Sequence, residues 1–199
     1  MALELWACLL TRPLKEQEEK EMLRLLPPAR RERLLQVKLR ERRREPLCAY
    51  ALLRCALREQ CGWDALPEIA ISSSEKPFFP AFPGVQFNLS HTNGAVMAGL
   101  SDQPLGVDIE KIRPVGEGAM RRLSGVTTER DFFQRWVRME ARAKQSGSGV
   151  SAMMRGEAPL ETGEYYYNLD TFDGYAAGLS TRSGERPGEL RRLTMDELL

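Results

Sequence analysis

A single histidine, His91, serves the whole chain, and the four cysteines, Cys8, Cys48, Cys55 and Cys61, form no C-x-x-C pair. That poverty of soft ligands argues against a zinc centre. Cys48 and Cys55 lie seven residues apart in a stretch of helical pattern, which puts them on one face as buried free thiols. No apolar run approaches the roughly 20 residues that a membrane helix requires. Residues 1–10 have no basic flank ahead of their short apolar stretch, so they do not read as a secretory signal, and the expected compartment is the cytoplasm. An excess of one charge sign is missing too: 29 Lys and Arg against 28 Asp and Glu leave a net charge of +1. With 42% hydrophobic and 29% charged residues the chain is far from a disordered composition, and 199 residues suffice for one large unit or two small ones built against each other.

Near-neutrality hides a local asymmetry, because ten Lys and Arg fall between residues 30 and 58. Such a run is either a solvated helix face or a dock for an anion. It is not interleaved with aromatic residues, so a small phosphate ligand is expected there in preference to nucleic acid.

The pattern along the chain alternates in type. Residues 2–11 read as a strand, residues 15–26 as a charged helix stopped by Pro27 and Pro28, and residues 29–60 as helical text divided by Pro46 and closed by Gly62. The stretch 72–84 reads as loop, since Pro77, Pro80 and Pro83 cannot donate to a sheet. Three short apolar segments, 87–90, 95–101 and 105–110, are separated by turn residues and predict a three-strand meander. A helix over 128–146 opens on Thr128 with Asp131 three residues on and closes at Gly147; strands follow at 165–169 and 174–180. GAVMAGLS at 94–101 is echoed by GYAAGLS at 174–180, which suggests two matching α+β halves, each a small antiparallel sheet packed with a long helix.

Three places could carry chemistry. In Val107-Asp108-Ile109-Glu110, strand alternation turns both carboxylates to one face, where they repel unless a cation relieves them. The alternative is a solvent-facing edge strand. Trp136, Glu140 and Lys144 stack four apart on one helix face, either as an ordinary Glu–Lys pair or as a base and a phosphate-neutralising cation. Ser90 and His91 end a strand before a glycine-containing turn, a position suited to meeting a phosphate and equally to a structural role. Gly147 and Gly149 in QSGSGV follow a helix instead of preceding one, so as a phosphate loop they are a weak signal.

Taken in order, EKPFFP (75–80), FNLSHTNG (87–94), PLGVDIEKI (104–112) and W-x-x-x-E-A-x-x-K (136–144) followed by GSG (147–149) resemble the 4'-phosphopantetheinyl transferase family, in the monomeric type that activates nonribosomal peptide and polyketide synthases. Looser similarity at TRPLKEQEE, RRERL and TMDELL extends the likeness over most of the chain. The resemblance implies two pseudo-symmetric halves, residues 1–110 and 111–199, with coenzyme A in the cleft between them. It implies Mg2+ or Mn2+ on Asp108, Glu110 and Glu140, with Glu140 also the base for a carrier-protein serine. It further implies the coenzyme A pyrophosphate at Ser90, His91 and Lys144, a phosphate contact at Lys76, and the 3'-phosphate at Arg30 and Arg33. The expected activity is transfer of 4'-phosphopantetheine to an apo carrier protein by a monomer needing neither nucleic acid nor membrane. The alternative is a coenzyme A or carrier-protein binding module of the same fold. Met139 stands where the family usually has lysine, Pro46 and Arg42 where it often has a threonine and an acidic residue, and the segment 114–132 is short.

Overall fold

The structure is a computed structural model that describes residues 1–123, 126–148 and 158–199. Its elements run β1 (Glu4–Leu9), α1 (Glu16–Leu25), α2 (Pro28–Leu35), α3 (Arg44–Cys61), β2 (Ala70–Ile71), β3 (Pro77–Phe78), β4 (Gln86–Thr92), β5 (Ala95–Ser101), β6 (Leu105–Lys111), α4 (Glu117–Arg122), α5 (Glu129–Ser146), β7 (Tyr165–Leu169), β8 (Tyr175–Thr181) and β9 (Arg191–Leu193). This is an α+β arrangement of two small sheets, ordered β4-β5-β1-β9 and β6-β8-β7, plus the two-residue ribbon β2-β3.

Side-chain parity sets the layering. On β1 and β5, Trp6, Cys8, Val96, Ala98 and Leu100 face α3, while Leu5, Ala95 and Met97 face the second sheet, where they meet Leu105, Val107 and Ile109 of β6 and Leu179 of β8. The first sheet is therefore covered on both sides, and every residue of β5 is buried. Such a strand reads as a continuous apolar run. Phe133 and Val137 of α5 close the far side of the second sheet against Ala176, so that α3, first sheet, second sheet and α5 stack in that order.

The two long helices end as their sequences dictate. Thr128 accepts the amide of Asp131 at 3.1 Å to open α5, and Gly62 and Gly147 close α3 and α5 at φ 69° and 73°, where a Cβ would be strained. The echoing segments become β5 and β8, each an inner strand of its sheet and each entered through a glycine of positive φ, Gly94 or Gly174.

Several expectations are corrected. The predicted meander stops after two strands: β4 and β5 form the hairpin, but β1 occupies the other edge of β5, and β6 crosses over to pair with β8. Pro46 does not divide the helical region. It sits in the first turn of α3, where its missing N–H belongs to a group without an intrahelical partner, and the break falls at residues 36–39, ahead of a 3-10 turn at Arg40–Arg43. Pro77 is in β3, an edge position that asks for little donation. Cys8 and Cys48 are buried free thiols whose pKa values burial pushes up to about 12; Cys55 is half-buried, and burial raises its pKa as well. Gly149 lies outside the described residues.

Candidate active site

The first and second sheets meet along β4 and β6, and the join is made by side chains. Asn88, Ser90 and Thr92, alternate residues of β4, accept the amides of Val107, Ile109 and Lys111 at 2.9, 3.2 and 3.4 Å. β6 thus has β8 on one edge and a row of polar side chains on the other. Its odd residues enter the core between the sheets, and Asp108 and Glu110 point the opposite way, toward α5. At Gly106 the helix comes so close that a Cβ would lie 2.1 Å from the Ala141 carbonyl oxygen and 2.5 Å from the Gln145 nitrogen. Glycine here lets α5 bring Lys144 onto the strand.

Lys144 Nζ donates to Asp108 Oδ1 at 2.7 Å and to Ser90 Oγ and the Val107 carbonyl at 3.2 Å each. Ser90 in turn donates to Asp108 Oδ1 at 2.7 Å. With Ile109 N and Lys144 Nζ on its oxygen, the hydroxyl has one donor and two acceptor sites engaged within the protein. Asp108 is only 4% exposed, and Lys144 offsets its charge, a necessity for a buried carboxylate. Both bonds fall on Oδ1; Oδ2 is buried without a partner among the described residues.

Glu110 is half-buried and accepts Thr92 Oγ1 and Arg113 Nη1 on one oxygen, Oε2, at 3.0 Å each. Glu140 has its pKa raised, first by burial and then by the charges of Asp108 and Glu110, with Lys144 opposing. The three carboxylates therefore share one electrostatic neighbourhood. Among the described residues no three His, Cys, Asp or Glu side chains stand as a ready-made metal cluster. The donor chemistry nonetheless suits a hard divalent cation: oxygen ligands only, a partnerless buried Oδ2, and a Glu140 carboxyl whose pKa is raised by burial and by the charges of Asp108 and Glu110.

Beside this group opens a recess of about 490 Å³. It brings together Arg30 and Arg33 from α2, Lys76 from the β2-β3 turn, His91 from β4 and Lys144 from α5, residues spread over 115 positions of sequence. Leu34, Val37, Ala49, Tyr50, Ile71 and Leu89 line the rest with apolar surface, and Glu75 contributes one carboxylate. Lys76 donates to the Leu105 and Gln145 carbonyls at 3.1 and 3.4 Å, and burial lowers its pKa. Arg30 is buried, reaches the Ile69 carbonyl at 3.4 Å, and keeps Nε without a partner among the described residues. His91 is exposed by surface area but crowded by surrounding protein; that crowding first, and the Lys144 charge second, lower its pKa, leaving the ring largely neutral at pH 7.

Residues Ser90 and Asp108 thus sit under the recess beside Lys144, while Glu110 and Glu140 are not on its wall. Trp136 packs half-buried against Phe132 in the α5 core, and Met139 is 1% exposed and turned away from the recess. Sequence reasoning missed Asn88 and Thr92, although period-two alternation through Ser90 marks all three on one face; Thr92 reads instead as a turn residue beside Asn93 and Gly94. It also missed Arg113, which carries no local signal.

No protein-family model matches the chain. It is 24% identical over 225 residues to the 4'-phosphopantetheinyl transferase Sfp of Bacillus subtilis, covering 99% of this chain and 100% of that protein. It is 35% identical over 140 residues to the 4'-phosphopantetheinyl transferase AcpT of Escherichia coli O157:H7, covering 63% of this chain and 67% of that protein. With the 4'-phosphopantetheinyl transferase psf-1 of Bacillus pumilus it shares 32% identity over 124 residues, 54% of this chain and 52% of that protein.

Proposed function

The chain belongs to the 4'-phosphopantetheinyl transferase family, and on that basis we propose that it moves the 4'-phosphopantetheine arm of coenzyme A onto a serine of an apo carrier protein and releases 3',5'-ADP. One observation carries the reading: four cations and an imidazole, drawn from four separate segments, converge on an apolar-walled recess beside three carboxylates. An anionic ligand with a flat apolar base and several phosphates matches that lining.

In this reading Arg30 and Arg33 hold the 3'-phosphate, Lys76 a second phosphate, and His91 and Lys144 the pyrophosphate, with Ser90 supporting Lys144 from beneath. Asp108, Glu110 and Glu140 would hold Mg2+, or Mn2+ in its place, which when bound supplies charge neutralisation at the pyrophosphate. The carrier serine Oγ bonds to the β-phosphorus, the bond from that phosphorus to the bridging oxygen breaks, and that oxygen leaves with its electron pair as part of 3',5'-ADP. The serine proton passes to Glu140, whose raised pKa suits a base. Lys144 brings charge, and the His91 ring a hydrogen bond, to where negative charge grows. Holding both reactants in line supplies the rest.

The halves 1–110 and 111–199 are read as pseudo-symmetric on the strength of the echoing inner strands β5 and β8 and the two glycine-capped helices, with β6 (Leu105–Lys111) paired to β8 and β9 paired parallel to β1, so that each half lends a strand to the other's sheet. One chain then contains the whole cleft and acts as a monomer, in the cytoplasm. The test is incubation with coenzyme A, Mg2+ and a panel of apo carrier proteins, read by intact mass. A gain of one phosphopantetheine, lost in Glu140→Ala and without metal, is expected. No gain on any carrier, with coenzyme A still bound by calorimetry, overturns the transfer reading in favour of a binding module.

A further inference from the structure

The seam between β4 and β6 repeats a unit. Ser90 accepts the Ile109 amide and donates to the carboxylate one residue earlier, Asp108, at 2.7 Å. Two residues on, Thr92 accepts the Lys111 amide and donates to the carboxylate one residue earlier, Glu110, at 3.0 Å. At the third rung, Asn88 accepts the Val107 amide, and the residue before that is Gly106, which has no carboxylate to hold. In both working rungs the protein's donors fall on a single oxygen of the carboxylate: Oδ1 of Asp108 takes Ser90 and Lys144, and Oε2 of Glu110 takes Thr92 and Arg113.

From this we propose that Thr92 is a positioning residue for Glu110, fixing the carboxylate by Oε2 so that Oε1 remains available to a divalent cation. The inference rests on the reading of Asp108, Glu110 and Glu140 as cation ligands. Arg113, the other donor, is half exposed on a long side chain, so its hold is weakened by solvent and salt. Thr92 has one rotatable bond to its hydroxyl oxygen and is pinned at its backbone by the β4-β5 ladder. A hydroxyl so placed orients a ligand as the outer partners of metal ligands do, and losing such a partner commonly costs about 10- to 100-fold in metal affinity. Ser90 is bound up with Lys144 and the recess, whereas Thr92 touches neither, so its substitution isolates the effect on Glu110.

The experiment is a Mn2+ titration of the full chain, followed by calorimetry and by the electron paramagnetic resonance of free Mn2+, on the parent protein, Thr92→Val, Thr92→Ala and Thr92→Ser, with metal-free melting curves of each. Val keeps the branched shape and strand preference and removes both hydroxyl bonds; Ser keeps the hydroxyl. The expected result is Mn2+ affinity reduced about 10-fold or more in Val and Ala and restored to within about twofold in Ser, with melting of the metal-free proteins little changed. If Val does not hold its fold, Ala and Ser decide between themselves. Equal affinity in the parent and the hydroxyl-less variants overturns the role of Thr92 alone, as does a Ser variant as weak as Ala. No Mn2+ uptake by the parent protein overturns the cation reading itself.

Discussion

At the scale of single residues, Glu140 and His91 have pKa values displaced in opposite directions. The folded Glu140 carboxyl has its pKa raised by burial and by Asp108 and Glu110, so the native state holds its proton to higher pH than the unfolded chain does. The stability contributed by its protonated form is therefore present below the unfolded pKa and is lost as pH rises through the folded one. Glu140→Gln is expected to melt on the order of 2–4 °C higher than the parent at pH 7 without metal, and to lose about 10²-fold or more in transfer rate. A melting point unchanged or lowered would contradict the placement of three mutually repelling carboxylates. His91 shows the opposite displacement. Its folded pKa lies below 6.5, so the native state binds fewer protons, and its contribution to stability is complete above pH 6.5 and declines as pH falls below it. Because it is the only imidazole in the chain, its NMR resonance needs no assignment. Its titration midpoint is expected below 6.5 in the free protein and higher with 3',5'-ADP present, since a nearby phosphate favours the charged ring; an unmoved midpoint would place the phosphates elsewhere.

Among the elements, α5 decides most, because Lys144 reaches Ser90 and Asp108 only if the helix lies directly on β6. Gly106→Ala puts a methyl group 2.1 Å from the Ala141 carbonyl oxygen, backbone that cannot step aside without moving the helix. The expected outcome is destabilisation of about 1–3 kcal/mol by chemical denaturation together with loss of transfer, as β6 and α5 are prised apart. The same helix is anchored from its other side. Arg142 and Glu164, with side chains 3% and 4% exposed, pair at 2.6 and 3.0 Å, and Arg142 also donates to the Ala158 and Pro159 carbonyls at 2.6 and 2.9 Å. Removing the cation leaves Glu164 buried and charged, so Arg142→Ala is expected to cost about 3–5 kcal/mol, with partial recovery when Glu164→Gln is added.

For the molecule as a whole, charge distribution matters more than net charge. A chain at +1 that gathers Arg30, Arg33, Lys76 and Lys144 around one recess is expected to bind 3',5'-ADP with an affinity that falls as salt rises, because part of the attraction is long-ranged and screened. Calorimetry at low and high salt would test this, and salt-independent binding would mean that apolar contacts dominate. The elements themselves were legible in advance where local rules govern them: the Thr128 and Gly147 ends of α5, the Gly62 end of α3, the β4-β5 hairpin, and the alternation that put Asp108 and Glu110 on one face. Strand parity is a property of the backbone, and caps depend on one or two neighbouring residues, so sequence by itself determined these. It also brought the motif residues to notice as a set. What only the tertiary structure decided is which edges meet. β6 reads as the third strand of a meander, yet β1 takes the free edge of β5 and β6 goes to β8. That choice turns β4 and β6 into a side-chain seam, sets Thr92 on Glu110, and gives Asp108 its lysine from 36 residues away. Pairing between strands distant in the chain depends on competition among edges and on the burial of both sheet faces, and no local pattern encodes the outcome of that competition.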